Sequence, residues 1–109
     1  MGIFDQLTET PEPMASEDFF NVVVQHFPHI KGKGLYDLKM PEAVEAEVYQ
    51  GDFYGLQMHL KVLKQYRRFN TAFNGFHSPM DYDGSQMQVK IIDPEFIQEL
   101  YNAFLSRHR

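Results

Sequence analysis

The sequence predicts an α+β fold, a small antiparallel sheet of three to four strands with helices packed on one face. Residues about 17–27 and about 94–107 carry apolar side chains at helical spacing behind good N-caps, and several segments between them alternate apolar and polar residues. A chain of 109 residues that is 43% hydrophobic and 15% aromatic leaves room for one core. Residues 1–15 read as a flexible or loosely docked N-terminal arm and residues 16–109 as a single domain.

The arm is polar and broken by Pro11 and Pro13, after a short apolar start in which Ile3, Phe4 and Leu7 share one side of a helical turn. Ser16 then caps a helix over about 17–27, with Glu17 and Asp18 in the first turn where the helix dipole favours acids. Phe19, Val23 and Phe27 form its apolar stripe, flanked by Phe20 and Val24, and Pro28 is expected to stop it. The β-branched run Val22-Val23-Val24 would also suit a buried strand, but the cap and the length favour helix. Lys31-Gly32-Lys33-Gly34 reads as a flexible basic loop before a short strand containing Tyr36, Leu38 and Met40.

Val44, Ala46 and Val48 alternate with Glu45, Glu47 and Tyr49, which predicts a strand ending at the turn Gln50-Gly51-Asp52. A second strand follows over about 54–60, where Leu56, Met58 and Leu60 alternate with Gln57 and His59. Val62, Leu63, Tyr66, Phe69 and Phe73 then fit one helical arc, so a helix is expected over about 61–73 with Gly75 near its C-terminal end. Asn74-Gly75 is equally a hairpin signal, which leaves strand as the competing assignment for this stretch. Residues 77–86 read as loop and turn, and Met87, Val89 and Ile91 as a last strand. Asp93 and Pro94 open the C-terminal helix, whose stripe is Ile97, Leu100, Tyr101, Phe104 and Leu105 with Phe96 at its edge. Arg107, His108 and Arg109 complement the negative end of its dipole.

The chain has no cysteine, which excludes a disulfide framework, a thiolate metal site and a cysteine nucleophile. The first residues carry neither a positive n-region nor a long apolar run, and no segment has the ~20 apolar residues of a membrane span, so a cytoplasmic protein without a membrane partner is expected. The net charge of -5 is uneven, about -6 over residues 1–50 and about +1 over 51–109. General nucleic-acid binding by the whole surface is thereby disfavoured, while a local basic face in the second half is allowed.

Lys61, Lys64, Arg67 and Arg68 are the candidate binding residues. On the helical assignment they fall on the solvent side, where phosphate or an acidic protein surface would dock, with Lys31 and Lys33 as a second contact. Tyr66 and Phe69 would lie on the core side of that helix, which weakens a base-stacking role. His26 and His29, on either side of Phe27-Pro28, lack a third ligand at metal-binding spacing. The loop of residues 77–84 gathers His77, Ser78, Asp81 and Asp83, but hydrolysis needs a nucleophile, a base and an orienting group that converge in space. Asp81, Asp83 and Ser85 lack the bidentate glutamate of a calcium loop, Glu45 and Glu47 read as solvated acids, and the 31–34 loop lacks the ending of a phosphate-binding loop.

No metal, cofactor or catalytic residue is therefore assigned. The expected function is a non-enzymatic protein-interaction module, such as a small inhibitor, immunity or accessory protein, acting by surface complementarity on a protein partner. A nucleic-acid-binding accessory protein using the basic stripe is the first alternative, and a small enzyme centred on residues 77–83 the second. Phe4, Tyr36, Phe53, Tyr54, Phe76 and Tyr82 have no assigned core stripe, and monomer and homo-oligomer are weighed equally.

Overall fold

The computed structural model describes residues 13–107; the proposed docking of Ile3, Phe4 and Leu7 and the roles given to His108 and Arg109 lie outside them. The described part is α+β, as expected, but its sheet has two strands where three to four were predicted. Its helices are α1 (Glu17–Gln25), α2 (Phe27–Lys33), α3 (Ala43–Val48), α4 (Phe53–His59), α5 (Arg67–Phe73) and α6 (Pro94–Arg107). The strands β1 (Tyr36–Lys39) and β2 (Val89–Ile92) pair antiparallel, with Tyr36 opposite Ile92 and Lys39 opposite Val89.

Ser16 caps α1, its side chain accepting from Phe19 N–H at 3.1 Å. Pro28 does not stop this helix. After a turn at His26 it stands in the first turn of α2, where its missing N–H costs nothing, and the supposed basic loop of residues 31–34 is the end of α2, closed by Gly34 at φ 66°. α6 begins as predicted, with Asp93 accepting from Glu95 N–H at 3.0 Å.

Both central strands are corrected to helices. Residues 43–48 are rich in the good helix formers Ala and Glu, and the Glu45 side chain accepts from Glu42 N–H at 2.9 Å to hold the first turn. Residues 53–59 start at Asp52, whose carboxylate accepts from Gly55 N–H at 2.9 Å. The buried Phe53, Leu56 and Gln57 then follow helical spacing, and Met58, a core residue on the strand assignment, is 60% exposed. The helix expected over 61–73 is shortened. Lys61 takes a left-handed turn at φ 67°, Val62 and Leu63 follow outside any helix, and a 3-10 turn at Lys64–Tyr66 leads into α5.

Two apolar clusters result. Met14, Phe19, Val23, Ile30, Tyr66, Phe69, Phe73, Ile92 and Ile97 form the larger, with Leu100, Tyr101 and Phe104 of α6 packed against it. Phe53, Leu56, Tyr82 and Val89 form the smaller. The stripe of α6 thus faces α1, with Phe19 edge-on to Tyr101 at 5.2 Å, instead of a broad sheet.

A buried polar network joins α4, α5 and β2 and explains why the sheet stops at two strands. Asn74 Nδ2 donates to Lys90 C=O and Asn74 Oδ1 accepts from Lys90 N–H, each at 2.8 Å, as a neighbouring strand would. Asn70 Oδ1 accepts from Ile92 N–H at 2.7 Å, and Asn70 Nδ2 donates to Gln57 Oε1 at 3.0 Å. The outer edge of β2 is thus satisfied by amide side chains of a helix, so no third strand is needed there.

Candidate functional site

The chain from α1 into α2 runs alongside α5 in the same direction, since Phe20 of α1 stacks on Phe69 at 5.9 Å and Phe27, the first residue of α2, meets Phe73 at 5.1 Å. Buried Phe69 and Phe73 fill the space beneath, and an open groove of about 570 Å³ remains above. One wall is Phe20, Val24 and Phe27, at i, i+4 and i+7. The other is Arg68, Thr71, Ala72 and Gly75, at i, i+3, i+4 and i+7, so beyond Arg68 it is built from small residues. Phe76 and Pro79, with His77, Ser78 and Tyr54, close the far end.

This pairing of a bulky wall with a small one follows from the helix period. Phe19 and Val23 point inward and are fully buried, which leaves Phe20 and Val24 on the adjoining line, half-buried, and the turn at His26 brings half-buried Phe27, at the start of α2, to the same wall. On α5 the large residues Phe69 and Phe73 are likewise inward. Between the phenylalanine wall and the small wall an incoming backbone finds room, and over seven residues the groove runs for roughly 10 Å, about two turns of a helix.

Among the described residues no carboxylate lines this groove. Its charged side chain is Arg68, whose guanidinium carbon lies 3.8 Å from the centre of the Phe20 ring while Nη2 donates to Glu17 Oε1 at 2.5 Å. That ion pair is exposed on both sides, 46% for Arg68 and 70% for Glu17, and such pairs hold only weakly. Arg68 is therefore a cation held over an apolar wall by a partner that is easily exchanged.

The other predicted binding residues are placed differently. Lys61 and Lys64 are exposed but precede α5, on the left-handed turn and in the 3-10 segment. Arg67 is half-buried, and its Nε donates to Val62 C=O at 3.0 Å, bracing the chain where it enters α5. Of the four, the groove takes up Arg68.

In the 77–83 loop, Asp81 Oδ2 accepts from the main-chain N–H groups of His77 at 2.8 Å and Ser78 at 3.3 Å, and Ser78 Oγ accepts from Met80 N–H at 3.2 Å. These groups build the turn at Pro79–Asp81. Asp83 is bonded to the hydroxyl and N–H of Ser85, which hold its carboxyl below the usual range. The His26 ring is bonded to Val22 C=O at 2.8 Å, and His26 and His29 both lie against Phe96. Among the described residues no group of three histidine or acidic side chains is placed to hold a metal ion, and no helix is long and apolar enough to cross a membrane.

Elsewhere, Glu45 Oε2 meets His59 Nε2 at 2.5 Å on the surface, where the Glu42 N–H and His59 lower the glutamate's pKa. In the sequence Phe20 and Val24 read as a line flanking a core stripe and Gly75 as the end of a helix or a hairpin turn, while Thr71 and Ala72 carry no binding signal of their own. The available signal was their helical spacing from Arg68, which sets a small stripe beside an aromatic one. No family model matches the chain, and neither the curated proteins nor the solved structures give a significant match to it.

Proposed function

We propose that this chain is a non-enzymatic protein-interaction module, of the inhibitor, immunity or accessory kind, whose groove between α1 and α5 receives an apolar segment of a partner protein bearing a carboxylate. The observation that carries this reading is an open groove with phenylalanine on one wall, small residues on the other, Arg68 at its rim and, among the described residues, no acidic lining residue. An amphipathic helix of about two turns fits that shape, with its apolar side chains at i, i+3 or i+4 and i+7. Its carboxylate would displace Glu17 from Arg68. This exchange costs little because both partners of the present pair are solvated.

The enzyme alternative gains no support from the 77–83 loop, where Ser78 and Asp81 are engaged in local turn bonds. A selection of displayed random peptides about twelve residues long against the full chain tests the proposal. The expected winners carry helically spaced apolar residues with an aspartate or glutamate, and they lose binding when Ala72→Trp fills the groove. Absence of enriched peptides, or binding indifferent to Ala72→Trp, refutes it.

A further inference from the structure

The strand β1 is paired along one side. Asp93 N–H donates to Leu35 C=O at 2.9 Å, which fixes the phase of the ladder. With Asp37 opposite Ile91 and Leu38 opposite Lys90, the main-chain groups of Asp37 and Lys39 face β2, and those of Tyr36 and Leu38 face away from it. The same phase on β2 sends the groups of Lys90 and Ile92 outward, where Asn74 and Asn70 meet them.

Among the described residues the outer edge of β1 has no such cover: none bonds to the outward main-chain groups of Tyr36 and Leu38. Asp37 and Lys39 are exposed, the Leu38 side chain is 50% exposed, and Met40 just beyond the strand is 72% exposed. An uncovered edge of this kind is a template for another strand, and apolar side chains on it favour occupancy.

We propose that β1 pairs with β1 of a second copy of this chain about a two-fold axis through Leu38, joining the two small sheets into one of four strands, β2-β1-β1-β2. The charges select this register. Centring the axis on Asp37 sets that aspartate opposite its own counterpart, and centring it on Lys39 does the same for the lysine; both put like charges face to face. Shifting by a single residue sets outward groups against inward ones and forms no ladder. Centring on Leu38 sets Asp37 opposite Lys39 on both sides of the axis, in the close non-hydrogen-bonded positions where cross-strand side chains interact most strongly. Leu38 then donates to and accepts from its counterpart, and Tyr36 stands opposite Met40. The surface is self-complementary, as a two-fold dimer requires.

This inference is independent of the groove, which lies on α1 and α5. Sedimentation velocity and light scattering on the full chain over a concentration series test it, and the expected wild-type species is a dimer in equilibrium with monomer. Asp37→Lys and Lys39→Asp each raise the dissociation constant about ten-fold or more, since each turns two attractions into two repulsions. The double variant restores the dimer, and mixing the two single variants yields a heterodimer. Leu38→Pro removes an outward N–H without touching the β1–β2 ladder and gives a monomer. Should that variant fail to fold, the charge series decides alone. A wild type that stays monomeric into the millimolar range, or a dimer indifferent to the charge reversals, overturns the proposal.

Discussion

Replacing Asn70 with alanine tests how α5 is joined to β2 and α4. Asn70 is fully buried; its Oδ1 accepts from Ile92 N–H at 2.7 Å, and its Nδ2 donates to Gln57 Oε1 at 3.0 Å. Both partners are buried, Gln57 at 0% and Ile92 at 1% exposure, so water does not reach them without opening the core. Each orphaned group costs about 1–3 kcal/mol, which puts Asn70→Ala at roughly 4 kcal/mol, a large part of the 5–15 kcal/mol that holds a typical domain together. Gln57 cannot compensate by flipping its amide. Its Nε2 donates to Arg67 C=O at 3.1 Å, and a flip would set oxygen against oxygen there. Gln57→Leu on its own orphans Asn70 Nδ2, whereas of these groups the double variant leaves only Ile92 N–H unpaired, so the two costs should fall short of additivity by the two groups it spares, Gln57 Oε1 and Asn70 Nδ2, or roughly 4 kcal/mol by the same reckoning. Urea unfolding of the four proteins at equal slope measures this directly. A cost below about 1 kcal/mol for Asn70→Ala, or strict additivity, would refute the network as the joint between these elements.

Other substitutions reach separate parts of the fold. Gly84 sits at φ 83°, and a Cβ there would lie 2.8 Å from Ala46 C=O, so Gly84→Ala should lower stability by about 2 kcal/mol or more, read by thermal or urea unfolding; no loss would mean this loop does not press on α3. The Tyr82 hydroxyl is buried without a hydrogen-bond partner among the described residues, and burial pushes its pKa up, so Tyr82→Phe should leave stability unchanged or raise it by about 1 kcal/mol, and a clear loss would reveal a bond to that hydroxyl. The Glu45 carboxyl is held below its ordinary pKa by Glu42 N–H and by His59. Its contribution to stability is present above the unfolded-state pKa and lost as pH falls through the lower folded-state value; in Glu45→Gln that acid-limb loss should be smaller in a pH series of unfolding midpoints.

Where a cap and a helical stripe agree, as at Ser16 with Phe19 and Val23 or at Asp93-Pro94 with Ile97, the structure follows the sequence closely. The two missed helices show what misleads. In α3 and α4 the helices are only 6 and 7 residues long, too short for a period of 3.6 to separate from a period of 2, and Val44 and Val48, at i and i+4, are exposed despite their apolar nature. Capping chemistry carried the better signal, in Glu42 with Glu45 and in Asp52 with Gly55. The break between α4 and α5 was illegible for a different reason: Lys61 takes a left-handed conformation that a lysine gives no hint of. Once 44–48 and 54–60 are helical, the three- to four-stranded sheet has no strands left to complete it, and Asn70 and Asn74 stand in for the missing neighbour. The groove was half legible. Its aromatic wall was visible at helical spacing, but the small wall depended on knowing that α5 begins at Arg67 and lies alongside the chain from α1 into α2.

Amide chemical-shift mapping of the full chain with a peptide taken from the displayed selection tests most directly whether the α1–α5 groove receives an apolar segment bearing a carboxylate. Phe20, Val24, Thr71, Ala72 and Gly75 should shift together, Glu17 and Arg68 should shift with them as their ion pair is exchanged, and Ala72→Trp should abolish the response. Shifts concentrated on Lys61 and Lys64 or on the 77–83 loop, with the groove residues unmoved, would contradict this docking.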